Sequence, residues 1–215
     1  FNVVNHHFLI VTRAFEPQEN WLTLADFAAL GQCLGEVDGL GFFNGGKVAG
    51  ASQPHKHLQI VPLVDMELPM EVAIEQAIAH SADQMIVRSP LLPFEHAITS
   101  FNFPSLDLTD YSTTPTPSTQ SLAQRYLDHY QRLLDAVGIR SSRHSVNGWG
   151  GTQSAPYNLL CTRNWMMVVP RSREGYAGIS VNSLGFAGSL LVKDKAQLAQ
   201  LRQLGPLKLL EQVGS

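Results

Sequence analysis

Residues 50–63 read GASQPHKHLQIVPL. Small and turn-forming residues give way to an alternating run that Pro62 closes, so residues 56–62 read as a β-strand. Side chains on a strand project to opposite faces in turn. This places His55, His57 and Gln59 on one face and Leu58 and Ile60 on the other. The apolar face can enter a core, while the polar one displays two imidazoles and a carboxamide on a stiff support.

Working outward, FNVV (1–4) and FLIVTR (8–13) read as a hairpin around Asn5, His6 and His7. Thr23 to Asp26 form a capping box ahead of a helix whose apolar stripe is Phe27, Leu30 and Leu34. Residues 39–53 read as a glycine-rich loop, and a helix after Pro69 carries Ile74, Ala77 and Ile78 on one face. Residues 104–119 (PSLDLTDYSTTPTPST) read as an exposed connecting loop. Ser121 then opens a strongly amphipathic helix, with Leu122, Tyr126, Leu127, Tyr130, Leu133, Leu134 and Val137 on one face and Gly138 at its end. Beyond a second glycine-rich stretch, YNLLCT (157–162) and WMMVVPR (165–171) form another hairpin. ISVN (179–182) is a short strand, and a helix over 194–204 starts at Asp194. The first hairpin echoes the later one: an aromatic-Asn pair, a strand, a polar turn, an apolar strand and an arginine.

The chain has 215 residues, 44% of them hydrophobic, enough for one sizeable core. Its formal charge of −3 carries no block of like charges, which argues against nucleic acid or an anionic membrane as partner. No apolar run approaches the roughly 18 to 20 residues of a membrane span. Cys33 and Cys161 have no metal-type spacing, so a cytoplasmic setting is expected. The chain opens inside a strand without methionine, so an N-terminal portion is expected to precede this single domain of 1–215.

Three readings of the histidine strand compete. The histidines can be incidental to a partly exposed strand. They can bind a metal, since H-x-H brings two imidazoles to one ion, although a third ligand has to come from Asp65 or His96 folding back. Or an imidazole can act as a nucleophile toward phosphorus. The loop ahead favours the last reading, because Asn44-Gly45-Gly46 and Gly50-Ala51-Ser52 let backbone N–H groups and the Ser52 hydroxyl approach phosphate oxygens. It is no Walker loop: Lys47 is followed by Val48. The remaining histidines, His6, His7, His80, His129 and His144, read as surface residues, His96 as structural or pocket-lining, and Trp21, Trp149 and Trp165 as core or loop anchors.

The segments FNGGKVAGASQPHKHLQIVPL, YNLL and ISVNSLGFAGSLLVK resemble the diadenosine tetraphosphate phosphorylases (ATP adenylyltransferases), in the galactose-1-phosphate uridylyltransferase branch of the histidine-triad superfamily. The resemblance covers nearly the whole chain. It implies an α+β, histidine-triad-like fold, an antiparallel sheet flanked by helices; the echo between the hairpins is open to two readings, a duplication into two pseudo-repeated halves or a chance likeness. The resemblance also implies that His57 is the nucleophile, that His55 orients the strand or a phosphate, and that Gln59, where the hydrolases carry a third histidine, marks a transferase. Nucleotide and phosphate contacts fall on Asn44, Gly50, Ala51, Ser52, Gln53, Gly178, Ile179, Ser180, Asn182 and Lys193. The implied reaction is cleavage of diadenosine tetraphosphate by inorganic phosphate to ADP and ATP through an AMP-histidine intermediate. No tightly bound cofactor is implied, and any Mg²⁺ arrives with the substrate. Ser189 stands where the family can carry methionine, which bears on the base pocket. The rivals are a nucleotide hydrolase, a sugar-nucleotide uridylyltransferase and a non-catalytic dinucleotide-binding module. Oligomeric state is left open.

Overall fold

The computed structural model describes residues 6–64, 67–81, 84–101, 117–139 and 151–215. The expected strand at residues 1–4, His144, Trp149 and Asp65 lie outside these residues, as does all but the end of the 104–119 connection.

Six strands form one antiparallel sheet in the order β1-β3-β2-β5-β6-β4. They are β1 (Phe8–Val11), β2 (Gly39–Asn44), β3 (His57–Pro62), β4 (Ala97–Ser100), β5 (Tyr157–Cys161) and β6 (Trp165–Pro170). Helices cover both faces, in agreement with the expected α+β class. Helices α1 (Leu24–Glu36) and α3 (Pro117–Ala136) bury Phe27, Leu30, Tyr130 and Leu134 against Phe43, Leu58, Ile60, Leu159 and Met166. The opposite face packs Phe42, Val61, Leu160 and Met167 against α2 (Glu71–His80), α4 (Ser183–Phe186), α5 (Lys195–Leu204) and α6 (Pro206–Val213). Strands covered on both sides favour apolar residues throughout, which is why WMMVVP reads as a continuous apolar run and YNLLC is broken only by the buried Asn158. A small ladder pairs β7 (Gly175–Tyr176) with β8 (Ile179–Ser180), shorter than the strand expected over 179–182.

The caps and apolar stripes follow the sequence closely. Thr23 and Asp26 form the reciprocal capping box of α1, and Asp194 caps α5 by accepting from Gln197 N. The turn between β5 and β6 sends Arg163 onto the Leu34 and Gly35 carbonyls, satisfying the C-terminal end of α1.

Two boundaries differ from expectation. Residues 39–44, expected in a glycine-rich loop, form the fully buried strand β2. Their glycines make room for close packing and do not mark a turn: a Cβ on Gly41 would lie 2.6 Å from Leu30 Cδ1. Helix α3 begins at Pro117, four residues before Ser121, because a proline in the first turn is pre-set to helical φ and forgoes no intrahelical bond.

His96 is a buried structural histidine. Its Nδ1 donates to Phe94 O at 2.7 Å, and its Nε2 accepts from Ser89 N at 2.9 Å, so the ring is neutral with both nitrogens engaged. Burial pushes its pKa below the ordinary value, opposed by the bond to Phe94 and the charge of Glu95, with Arg88 lowering it further. Below about pH 6.5 the unfolded chain takes up a proton that the folded ring resists. Stability is therefore full above that pH and falls as the pH drops, by up to about 1.4 kcal/mol per unit for this group, until the folded pKa is reached. Urea midpoints between pH 7 and 5 are expected to fall less steeply in His96→Gln than in wild type; equal slopes would refute the assignment.

Candidate active site

The alternation read from the sequence places His57 at the first position of β3. Leu58 and Ile60 enter the core under α1 and α3, and Val61 enters the opposite one, so His57 and Gln59 share the second face. Their cross-strand partners on β1, Val11 and Leu9, are exposed. The His57 ring is mostly buried, 6% exposed. Its Nδ1 lies 2.8 Å from His55 O. A carbonyl can only accept, so Nδ1 carries the proton and Nε2 presents its lone pair. The Gln59 carboxamide nitrogen stands 3.5 Å from that Nε2, at the outer limit of hydrogen bonding.

His55 precedes the strand, and its ring turns to another partner. Its Nε2 is 2.9 Å from Thr12 Oγ1 and 3.2 Å from Ala14 O, and its ring lies against Phe15. The two imidazoles thus face different groups. Among the described residues no group of three potential metal ligands is gathered. His55 acts on His57 through its main-chain oxygen.

Lys56, between the two histidines, is 1% exposed. It is held by Glu16 at 2.5 Å and by the capping residue Asp26 at 2.8 Å. Burial disfavours the ammonium, but hydrogen bonds and attraction from the two carboxylates outweigh it and raise the pKa above the ordinary lysine value. The start of β3 is therefore tied to α1 on the face opposite the imidazole.

The loop between β2 and β3 closes on itself. Residues Lys47–Ala49 form a 3₁₀ turn, in which Ala49 N, Gly50 N and Ala51 N donate to Gly46 O, Lys47 O and Gly46 O. Gly45 N and Gly46 N donate to Tyr157 O and Asn44 O. This departs from the sequence reading, which offered these N–H groups to phosphate: a 3₁₀ turn uses its amides internally. The exposed Ser52 and Gln53 have no such internal bonds.

Gly50 is where this loop packs against the segment at Val181 and Asn182. Its φ is +90°, and a Cβ there would lie 2.7 Å from Val181 O and 2.9 Å from Asn182 Cα. Only glycine permits both the left-handed backbone and that approach. Gly50→Ala is expected to lower stability by about 1 to 3 kcal/mol, read by urea denaturation; an unchanged midpoint would contradict the packing.

Through this contact two distant segments build one cleft, about 270 Å³, lined by Gly50, Ser180, Asn182, Leu190, Lys193 and Gln197 among others. Ser189 lines it as well. Lys193 is exposed there, while Asn182 caps α4 by accepting from Leu184 N. Two other residues of this segment stand elsewhere. Ile179 is 1% exposed within the core, and Gly178 offers its carbonyl to Gln197 Nε2. His57 and Gln59 do not line this cleft.

A buried polar network joins the cleft to β2 and β5; of its members only Asn44 carries a role in the sequence, and Asn158, Ser183 and Arg171 do not. Asn44 Oδ1 accepts from Asn158 Nδ2, Ser183 N and Ser183 Oγ at 2.7 to 2.9 Å. Asn44 is 2% exposed, so its carboxamide oxygen is engaged inside the protein. Asn158 also donates to Ala49 O and accepts from Arg171 Nη1. Arg171, 3% exposed, further donates to Ala49 O, Arg173 O, Glu174 O, Val181 O and Val213 O. The echo between the two hairpins was the available signal: its Asn and Arg are Asn158 and Arg171.

Residues 1–80 match the family model described as the Ap4A phosphorylase N-terminal domain, and residues 90–215 the model of the ATP adenylyltransferase C-terminal domain. The chain is 29% identical over 222 residues to diadenosine 5',5'''-P1,P4-tetraphosphate phosphorylase 2 of Saccharomyces cerevisiae, covering 94% of this chain and 63% of that protein. It is 26% identical to Protein APA1 of the same yeast, covering 94% and 62%. The chain thus spans a little under two thirds of these relatives. The crystal structure of yeast Ap4A phosphorylase Apa2 superposes with a TM-score of 0.73 at 27% identity, over all of this chain and 69% of Apa2. The Apa2 complex with Ap4A superposes at 0.66 and 26% identity, over 99% of this chain and 70% of Apa2.

Proposed function

The chain belongs to the ATP adenylyltransferase family, and from that premise we propose that it cleaves diadenosine tetraphosphate with inorganic phosphate, releasing ADP and ATP. The observation that carries this reading is the bond from His57 Nδ1 to His55 O, which leaves Nε2 as a bare nucleophile. Nε2 attacks the α-phosphorus, the bond to the bridging oxygen breaks, and ATP departs. AMP stays on the ring as a cationic phosphoramidate, whose Nδ1–H donates to the His55 carbonyl more strongly than before. Inorganic phosphate then attacks the same phosphorus, ADP leaves and the imidazole returns neutral. Neither step requires the ring to gain or lose a proton. Two inversions give net retention.

Gln59 donates to a non-bridging oxygen as charge moves onto it, since a phosphoryl group on Nε2 lies within reach of that carboxamide. Ser52 and Gln53 supply N–H groups and polar side chains at the loop exit. The cleft at Gly50, Ser180, Asn182 and Lys193 adds polar groups and one cation for the rest of the nucleotide. Any Mg²⁺ arrives on the polyphosphate. Unpaired Cys33 and Cys161 suit a reducing cytoplasm.

Incubation with labelled diadenosine tetraphosphate, with and without phosphate, tests the reading. Phosphate-dependent formation of ADP plus ATP is expected. AMP released without phosphate would make the protein a hydrolase, and binding without turnover a sensor.

A further inference from the structure

Gln18 is absent from every motif discussed above, yet its side chain is bonded almost entirely to the backbone around His57. It is 1% exposed. Its Oε1 accepts from His57 N at 2.9 Å, and its Nε2 donates to Asn44 O at 2.8 Å and to His57 O at 3.3 Å. Strands β2 and β3 pair from Gly39 opposite Pro62 to Phe42 opposite Gln59. Continuing that register two positions would set Asn44 against His57. The Gln18 carboxamide occupies that place, with an acceptor and a two-proton donor arranged like a peptide group.

The segment carrying Gln18 is itself fixed against the histidine motif. Gln18 N donates to Pro54 O, Pro17 bridges His55, and Lys56 N donates to Glu16 O. The carboxamide is thus wedged between two strand ends at the position of the nucleophile, where a direct ladder bond would draw β2 and β3 together.

We propose that Gln18 is a positioning residue for His57: its carboxamide replaces the Asn44 main chain as the partner of the His57 peptide, and so sets the direction of the imidazole and the approach of Nε2 to phosphorus. The Gln18 side-chain bonds go to main-chain atoms, not to the reacting nitrogen. The kinetic part of this inference rests on the proposed phosphorylase reaction. The geometric part does not.

Two substitutions separate the roles of shape and hydrogen bonding. Gln18→Glu keeps the shape and an acceptor for His57 N but cannot donate as a carboxylate; Gln18→Met keeps the length and makes neither bond. Both are expected to lower kcat about 10- to 100-fold, as small misplacements of a reacting group do, with KM for the dinucleotide within about twofold of wild type. Nitrogen-15 NMR of histidine-labelled protein, with the His57 ring assigned through His57→Gln, is expected to show a single Nδ1–H tautomer in wild type and loss of that preference in the variants. A folded variant with wild-type kcat and an unchanged tautomer overturns the proposal, as does an equal loss of affinity and rate with the tautomer intact. If Gln18→Met does not fold, Gln18→Glu decides. If wild type shows no phosphate-dependent turnover, the functional reading fails, and the tautomer comparison alone judges Gln18.

Discussion

His57→Ala is expected to reduce phosphate-dependent turnover by at least roughly 10⁴-fold, the scale on which enzymes lose rate when a covalent nucleophile is removed. The reason lies in what the ring does and does not touch. Its Nδ1 is committed to His55 O, and its Nε2 meets the Gln59 carboxamide at 3.5 Å. The main-chain bonds from His57 to Gln18 involve no ring atom and persist in the variant. Loss of rate should therefore come with a thermal midpoint close to wild type and with retained dinucleotide affinity. Mass spectrometry of acid-sensitive adducts supplies the second readout: a nucleotide mapped to His57 in wild type and none in the variant. A variant within tenfold of wild type would end the nucleophile assignment, and a nucleotide mapped elsewhere would move it.

Arg171→Met is expected to be the most damaging substitution for stability, by about 3 to 5 kcal/mol. Among the described residues the buried guanidinium has no carboxylate partner at hydrogen-bond distance. Burial lowers its pKa to about 10, opposed by the charge of Glu174, so it remains charged at neutral pH. Five carbonyls from four parts of the chain converge on it, together with Asn158 Oδ1 at 2.6 Å, and it lies over the Phe186 ring. Removing the cation strands several of these buried acceptors, each costing about 1 to 3 kcal/mol if water does not reach it. Arg171→Lys is expected to recover little, because an ammonium has three donors and no planar fork. Thermal and urea denaturation of both variants provide the check. A loss below about 1 kcal/mol would mean that solvent replaces the guanidinium and that the network does not hold the cleft together.

Much of the fold was legible because local chemistry and tertiary demand agree. Thr23 and Asp26 cap α1, the stripe from Leu122 to Leu134 buries against the sheet, and the hairpin β5–β6 stands where its apolar runs placed it. Strand β2 is hidden in the sequence because Gly39 and Gly41 look like loop residues unless the close approach of β3 to Gly39 and of Leu30 to Gly41 is known. The faces of His57 and Gln59 followed from alternation. His55 did not, since its bond to Thr12 lies before the strand begins. Lys56 and Gln18 carry no periodic signal at all, because their side-chain partners are 26 or more positions away.

The order of residues alone determined the strand that bears the imidazole, its two faces and the caps of the helices, since these depend on neighbours within a turn or two of chain. Only the tertiary structure decided which nitrogen of His57 is free, that the glycine turn consumes its own amides, and that Gly50 meets Val181 and Asn182 to wall the cleft. Those outcomes belong to atoms brought together by packing, and a buried polar group takes whatever partner packing supplies.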